Sequence, residues 1–480
     1  MTQTPGTPPA LYVAREPIFP RRVRGNFRTL KWWIMGVTLA IYYLTPWIRW
    51  DRGPNLPDQA VLIDLAGRRF YFFWIEIWPH EFYFVAGLLI MAGLGLFLFT
   101  SALGRVWCGY TCPQTVWTDL FILVERWIEG DRNARVRLWN ADWSARKLRL
   151  RVTKWAVWIV IAMATGGAWV FYFADAPTLA RDLIVFEAPL VAYTTIAVLT
   201  ATTFVFGGFM REQVCNYMCP WPRIQAAMMD ESTLTVAYRH WRGEPRGKHR
   251  KAEGADSLGD CIDCMACVNV CPAGIDIRDG QQMECITCAL CIDACDEVME
   301  RIGKPRGLID YLALSDEEAE TRGAPPRPIW EHVLRPRTIL YTAMWSLIGV
   351  ALVYALFIRS DIDLTVEPVR NPQFVTMSDG SVRNAYTLRI RNLTADDRTF
   401  RIMLTSDDIL RIGVETEGPN PGHVVVPANE TLAARVYVTA RPQDPAAARE
   451  TTDLRLWVED VQTDDRAGVA TIFNGKEIAQ

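Results

Sequence analysis

The twelve cysteines of this 480-residue chain carry most of its legible chemistry, and their spacing is regular. Residues 261–272 read CIDCMACVNVCP, which sets Cys261, Cys264, Cys267 and Cys271 in a C-x2-C-x2-C-x3-C run ahead of Pro272. Residues 285–296 read CITCALCIDACD and repeat the run with Cys285, Cys288, Cys291 and Cys295. Thiolates are soft ligands, and gaps of two residues let one loop present three of them to one metal centre. Zinc is the rival chemistry, but its sites ordinarily join two C-x2-C knuckles, not two runs of four. The remaining four cysteines form a second repeat. WCGYTCPQ carries Cys108, Cys112 and Pro113, and VCNYMCPW carries Cys215, Cys219 and Pro220, with Tyr110 and Tyr217 between the thiols. Cysteines four apart are expected on one helix face, and the proline after each pair marks a helix end or a new helix start. Four thiols at matching depth can converge on a soft metal such as Cu(I), act as two dithiol pairs, or pack inertly as buried free cysteines. Their occurrence twice at equivalent positions favours function, because repeated membrane elements build shared sites. Neither copy has the third cysteine that a radical-SAM motif requires.

The eight-cysteine module resembles that of the bacterial two-cluster ferredoxins, in which three cysteines of a run hold one [4Fe–4S] cluster and the fourth holds the other. The resemblance implies Cys261, Cys264, Cys267 and Cys295 on one cluster, and Cys285, Cys288, Cys291 and Cys271 on its mate. Asp296 stands where the second run would have its proline. That proline shapes a turn and is not a ligand, so the change bears on the potential, not on ligation.

The elements that must position these thiols are membrane helices. Half of the chain is apolar, yet its mean hydropathy is only slightly positive, which fits apolar spans joined to polar domains. Five stretches reach the roughly 20 apolar residues a spanning helix needs: Leu30–Trp50, Phe82–Thr100, Trp155–Phe173, Pro189–Phe209 and Thr338–Ile358. Many of the 19 tryptophans, among them Trp47, Trp74 and Trp155, sit at the edges of these runs, as indoles do at a membrane interface. The first run is too long and too late for a signal peptide. Basic residues orient the spans. Arg21, Arg22, Arg24, Arg28 and Lys31 precede the first, and ten lysines and arginines from Arg105 to Lys154 lie between the second and third. The segment between the third and fourth has Arg181 against Asp175, Asp182 and Glu187. The positive-inside rule then puts the N-terminal tail (1–29) and the loop 101–154 in the cytoplasm. Five crossings put 210–337 inside and 359–480 in the periplasm. All twelve cysteines fall in segments so assigned to the reducing side, which agrees with metal-binding thiols.

After the last span, 338–358, short alternating runs at Asp363–Glu367, Tyr386–Arg391, Phe400–Leu404, Ala433–Val438, Leu454–Val458 and Val469–Phe473 read as strands. Ser378-Asp379-Gly380, Asn392 to Asp397 and Pro419 to Gly422 read as turns. About 120 residues suit an immunoglobulin-like sandwich, here without a disulfide and without a convergent catalytic set, so docking is its expected role. The net charge of −3 gives no case for nucleic acid. His80 is expected at a membrane interface, and the basic stretch Arg239–Lys251, with His240 and His249, as a solvated or lipid-facing linker. No flavin, nicotinamide, P-loop or Ser/His/Asp pattern is present, so an electron donor is not legible.

Taken in order, the spans of 30–209, both C-x3-C-P motifs, the double cluster run, the last span and the β tail resemble the FixG/CcoG/RdxA family of accessory proteins for cbb3-type cytochrome c oxidase. The resemblance implies a membrane α-helical protein with an inserted ferredoxin-like domain and a C-terminal all-β sandwich, in a bacterial inner membrane. It further implies electron transfer in oxidase assembly by reduction of Cu(II) to Cu(I), with Cys108, Cys112, Cys215 and Cys219 as the copper or redox site. Oxidase subunits or copper chaperones and transporters would be its partners, beside the lipid bilayer. Two other functions stay open: a Cu(I)-binding scaffold without catalysis, and a quinol dehydrogenase-type subunit.

Overall fold

The computed structural model describes residues 17–53, 56–248, 258–325, 327–360, 362–394, 396–415, 422–428 and 430–476. Helix α1 (Asn26–Leu44) stops well short of the expected Trp50. Pro46 turns the chain into a 3-10 turn at Thr45–Trp47, because proline cannot continue the hydrogen-bond ladder of a helix. The expected continuous run Leu30–Trp50 is corrected to that extent. Arg28 and Lys31 in the first turns of α1 are buried, and both meet Asp119: Arg28 Nη1 lies 3.0 and 2.9 Å from its two carboxylate oxygens, Lys31 Nζ 3.8 Å from one of them.

A small antiparallel sheet follows, β1 (Val61–Asp64), β2 (Arg69–Phe72) and β3 (Ile75–Ile77), and leads into α2 (Phe82–Leu103). Residues 101–154, expected as a loop, mostly form helices: α3 (Val106–Tyr110), α4 (Pro113–Glu129), α5 (Arg132–Asn140) and the start of α6 (Ala145–Val170). Helix α4 runs antiparallel along α6. Glu129 pairs with Arg151 at 3.2 Å, Glu125 with Lys154 at 3.2 Å, Phe121 stacks on Trp158 at 5.2 Å, and Trp117 donates to the Thr165 hydroxyl at 2.8 Å. Glu125 also meets Arg135 at 2.9 Å and Arg211 at 2.7 Å. Burial alone would raise its pKa, but the Arg211, Lys154 and Arg135 cations outweigh burial and hold it at about 2. An unpaired carboxylate at such a place would cost several kcal/mol, so these pairs are what let an acidic helix lie inside the bundle. The far end of α1 reaches the far half of α6, where Tyr42 donates to the Thr165 carbonyl at 2.8 Å and Tyr172 to the Tyr42 carbonyl at 3.0 Å.

After α7 (Ala176–Ile184), helix α8 (Leu190–Thr203) loosens into two π-helical pieces, Phe204–Met210 and Val214–Met218, before α9 (Trp221–Met228). Among the described residues, four helices are long and apolar enough to cross a membrane: Pro79–Leu103, Ala145–Val170, Leu190–Met210 and Pro336–Phe357. Helix α1 falls short of that measure because Arg28, Lys31 and its interfacial aromatics dilute its apolar stretch.

The cluster module is held by β4 (Thr235–Tyr238), α10 (His240–Gly243), α11 (Ala266–Val270), α12 (Leu290–Arg301) and β5 (Ile309–Leu312), with β4 antiparallel to β5. The basic stretch is no free linker where it is described: Arg239 reaches Glu320 at 2.8 Å and Arg242 reaches Asp260 at 2.6 Å, locking it into the module. His240 is partnered by Glu317 at 3.3 Å, His80 is exposed, and His249 to Lys251 lie outside the described residues.

The C-terminal unit is a sandwich of two antiparallel sheets. One has the order β10 (Arg411–Glu415), β12 (Thr431–Ala440), β8 (Val382–Asn392), β6 (Ile362–Pro368), with β7 (Val375–Thr376) also on β8. The other has β11 (His423–Val426), β9 (Arg398–Ser406), β13 (Thr451–Asp460), β14 (Arg466–Asn474). Strict alternation of buried and open residues along β8 follows from one face meeting the core, and Tyr386, Leu388, Ile390, Phe400, Leu456 and Phe473 are buried there. All six expected strands lie inside observed ones. The turn at 378–380 is present; the one at Pro419 falls on residues outside the description, apart from Gly422.

Candidate functional site

The two ferredoxin runs fold into matching loops. The residues on either side of the second cysteine of each run adopt left-handed backbone: Asp263 and Met265 in the first, Thr287 and Ala289 in the second. None is glycine, so each position carries about 1 kcal/mol of strain that the surroundings must impose. Left-handed turns of this kind aim successive backbone N–H groups into one concavity, a geometry that suits an anionic iron–sulfur core.

The eight thiols lie close enough to influence one another, with Cys267 acting on members of both runs. Burial pushes Cys295 up to about 12, and its neighbours Cys267, Cys264 and Cys261 add to the shift. Cys271 is likewise pushed up to about 12 by burial and then by Cys288 and Cys285. Burial raises Cys291 well above its ordinary value, with Cys288, Cys285, Cys271 and Cys267 adding to it. Cys267, Cys271, Cys285, Cys288 and Cys291 all line one small cavity walled by Val236, Ile275 and Ile286, so a thiol of the first run shares it with those of the second. A largely apolar cavity lined by thiols suits a soft metal cluster, whose binding must release the protons that burial holds on. Cys264 is the exposed member of the eight. Asp296 has its own use: its carboxylate accepts from the Gly307 N–H at 2.9 Å and pins the turn before β5.

The C-x3-C-P motifs do not form continuous helix faces. Cys108 lies on α3, but Cys112 is the extended residue that starts α4, with Pro113 at the first helical position, where its missing N–H costs nothing. Cys215 sits in the second π segment, and Cys219 again is extended ahead of Pro220. The four thiols are nevertheless near one another, although among the described residues no three Cys, His, Asp or Glu side chains are grouped closely enough to hold one metal ion. Burial pushes Cys215 up to about 12, and Cys112, Cys108 and Cys219 all contribute to that shift. Burial raises Cys108 too, opposed by Arg105. The Cys108 thiol donates to Gln225 Oε1 at 3.0 Å, and Gln225 is fully buried.

This four-thiol site abuts the cluster module. Gly109 packs so tightly on the second cluster loop that a Cβ there would stand 2.6 Å from the Ile286 carbonyl oxygen and 3.0 Å from the Cys288 Cα. Tyr110 donates to the Cys288 carbonyl at 3.2 Å, and Arg105 bonds to the Met283 carbonyl. On the other copy, Cys215 and Asn216 face a cavity of about 40 Å³ closed from the module by Pro272, Ala273, Glu284 and Ile286. The spacing of the motifs does not reveal Gln225, Arg105 or the role of Gly109. The one signal in the sequence is the asymmetry of the repeat, glycine after Cys108 and asparagine after Cys215.

Comparison with known proteins agrees with this layout. Residues 210–314 match a family described as "4Fe-4S dicluster domain", residues 84–133 one described as "4Fe-4S binding domain", and residues 352–476 the "IG-like fold at C-terminal of FixG". Protein RdxB of Cereibacter sphaeroides is 67% identical over 468 residues, covering 97% of this chain and 98% of the relative. Protein RdxA of the same organism is 63% identical over 462 residues (96% and 97%). The nitrogen fixation protein FixG of Rhizobium meliloti is 54% identical over 492 residues (97% and 94%). The chain is therefore a membrane iron–sulfur redox protein, built for two clusters, and it belongs to the FixG/RdxA family.

Proposed function

We propose that this protein reduces Cu(II) to Cu(I) at Cys108, Cys112, Cys215 and Cys219 and hands Cu(I) on for assembly of a cbb3-type oxidase. One cluster is assigned to Cys261, Cys264, Cys267 and Cys295, the other to Cys271, Cys285, Cys288 and Cys291. When bound, the clusters supply one-electron storage. The observation that carries the reading is the contact of Gly109 and Tyr110 with the Cys288 loop, which sets the four thiols beside the second ligand group. The other group includes the exposed Cys264 and is proposed as the side that receives electrons from the donor. Glu212 and Glu284 in the cavity beside Cys215 offer hard oxygen ligands that suit Cu(II), while the four thiols favour Cu(I), so the ligand set itself biases the metal toward reduction.

The same reading keeps α1 as a fifth span. Its N-terminal end is bound at the cluster module, where Asp293 accepts from the Phe27 and Arg28 N–H groups at 3.2 and 2.7 Å, and its other end meets Thr165 and Tyr172. Nineteen residues at 1.5 Å each give about 28 Å, close to the hydrocarbon thickness. Five crossings keep the cluster module in the cytoplasm and send the β-sandwich to the periplasm, where docking to partner proteins is its proposed role.

The test is a single-turnover reaction of the full chain, purified without oxygen and reduced with dithionite that is then removed. Added Cu(II) should bleach the reduced-cluster signal with one Cu(I) captured per electron lost. Copper binding without reoxidation would make the protein a scaffold. Reoxidation by a quinone and not by Cu(II) would make it a quinol-linked subunit.

A further inference from the structure

A second cavity, of about 640 Å³, opens where the apolar part of α6 begins, and nothing in the redox chemistry uses it. Its wall holds Lys147, Arg151, Lys154 and Arg211 against one carboxylate, Glu125. Glu129 behind the wall pairs with Arg151 and Lys154, while Glu125 is shared among Arg135, Lys154 and Arg211. Among the described residues, the four cations of the wall are thus set against these two carboxylates, which Arg135 also shares. Lys147 is more than nine-tenths buried and bonds only to carbonyls, those of Trp139 at 3.0 Å and Ala141 at 2.6 Å, with no carboxylate partner among the described residues. Buried cations without counter-charge are strongly unfavourable unless an anion completes the site.

The same wall is aromatic. Lys147 stands 5.2 Å above Trp143, Lys154 4.8 Å above Trp158, and Arg151 and Arg211 each 5.6 Å above Trp139 and Trp158. Trp139 and Trp143 are exposed, and Trp155 and Phe209 continue the wall along the membrane-spanning part of the molecule. Indoles at a span's edge mark the headgroup level. We propose that this cavity is a specific site for an anionic phospholipid of the phosphatidylglycerol or cardiolipin class. The phosphodiester sits among Lys147, Arg151 and Arg211, and the acyl chains leave along Trp155 and Phe209. Basic pockets beside membrane helices recognise such headgroups through the same combination of charge and apolar wall.

The experiment is native mass spectrometry of the detergent-purified, cluster-loaded full chain, offered phosphatidylglycerol, phosphatidylcholine, inorganic phosphate or ubiquinone. Phosphatidylglycerol should be retained at one per chain, at least tenfold over phosphatidylcholine. Lys147→Gln should weaken it about fivefold per cation removed, and Lys147→Arg should restore it. Equal retention of the two lipids, or no effect of Lys147→Gln, overturns the proposal. Phosphate bound as well as the lipid assigns the site to a free anion and overturns the lipid; ubiquinone that displaces phosphatidylglycerol does the same in favour of a quinone. If Lys147→Gln fails to fold, the lipid ratio on the unaltered protein and the Lys147→Arg variant still decide.

Discussion

Gly109→Ala probes the junction on which the redox reading rests. The added methyl would lie 2.6 Å from the Ile286 carbonyl oxygen, 3.0 Å from the Cys288 Cα and 3.1 Å from the Cys288 nitrogen, against about 3.4 Å for ordinary contact. Roughly 0.8 Å must open between α3 and the second cluster loop. All three obstacles are backbone, and Tyr110 and Arg105 tie the two surfaces together on either side, so no flexible side chain can yield. Overpacking of this kind costs about 1–3 kcal/mol. At about 2–4 °C per kcal/mol for a unit of this size, cluster absorbance should be lost roughly 2–12 °C lower on heating. Copper-driven reoxidation should slow in the same variant, while reduction by dithionite, which needs no contact at residue 109, should not. Gly167→Ala is the control: on α6, with nothing beyond its own helix backbone and chain neighbours within 4 Å of its Cβ position, it should neither lower the melting point nor slow reoxidation. If Gly109→Ala melts and reacts like Gly167→Ala, the thiols and the second cluster loop do not touch in the way described.

Three further outcomes follow from the same contacts. Cys219→Ser should abolish Cu(I) formation yet keep full cluster absorbance; loss of iron instead would mean that the ligand groups are wrongly divided. Glu125→Gln strands Arg135 and Arg211 and leaves Lys154 with Glu129 alone, and about 3–5 kcal/mol of stability should go with it, read from the thermal unfolding midpoint. Because Glu125 titrates at about 2 when folded, below its ordinary 4.5, its contribution is present above pH 4.5 and fades as pH falls toward 2; the acid limb of a stability–pH profile should therefore flatten in Glu125→Gln. Tyr386→Phe leaves the Ile472 carbonyl, which now accepts from the Tyr386 hydroxyl at 2.7 Å, without that donor, and should lower the melting point of the β-sandwich by the equivalent of about 1–3 kcal/mol.

The parts of this molecule that sequence reveals are those governed by one local rule. Cysteine spacing names the cluster loops, because a loop that wraps a metal has little freedom in where its ligands fall. Alternation names the strands, since one face of each is buried. Length and apolarity name four of the helices. What the sequence leaves open depends mostly on partners distant along the chain, the proline that ends α1 excepted. Leu30–Trp50 reads as one apolar run, but Pro46 ends the helix, and its real start lies four residues earlier, where Asp293 supplies acceptors for the first turn. The helical packing within the 101–154 connection is hidden because Asp119, Glu125 and Glu129 look like surface charges until Arg28, Lys31, Lys154, Arg151 and Arg211 are seen beside them. The convergence of Cys108 with Cys215 was legible only as a repeat; the π-helical turns that bring Cys215 around have no marker in the sequence.

Asp293 carries the coupling between the two halves of this machinery. It lies two residues from Cys291 and two from Cys295, one from each proposed ligand group, and its carboxylate holds the first turn of α1. Gly25 leaves no room for slack, since a Cβ there would meet the Asp293 carboxyl at 2.2 Å. Loss of iron would release the turn of α12 that orients Asp293, and α1 would lose its cap with it. Helix α1 and the cluster module are thus one folding unit. Iron removal by a chelator should accordingly raise hydrogen exchange at Phe27 and Arg28 along with the cluster loops, while the β-sandwich amides stay protected. Exchange confined to 258–312 would refute that coupling.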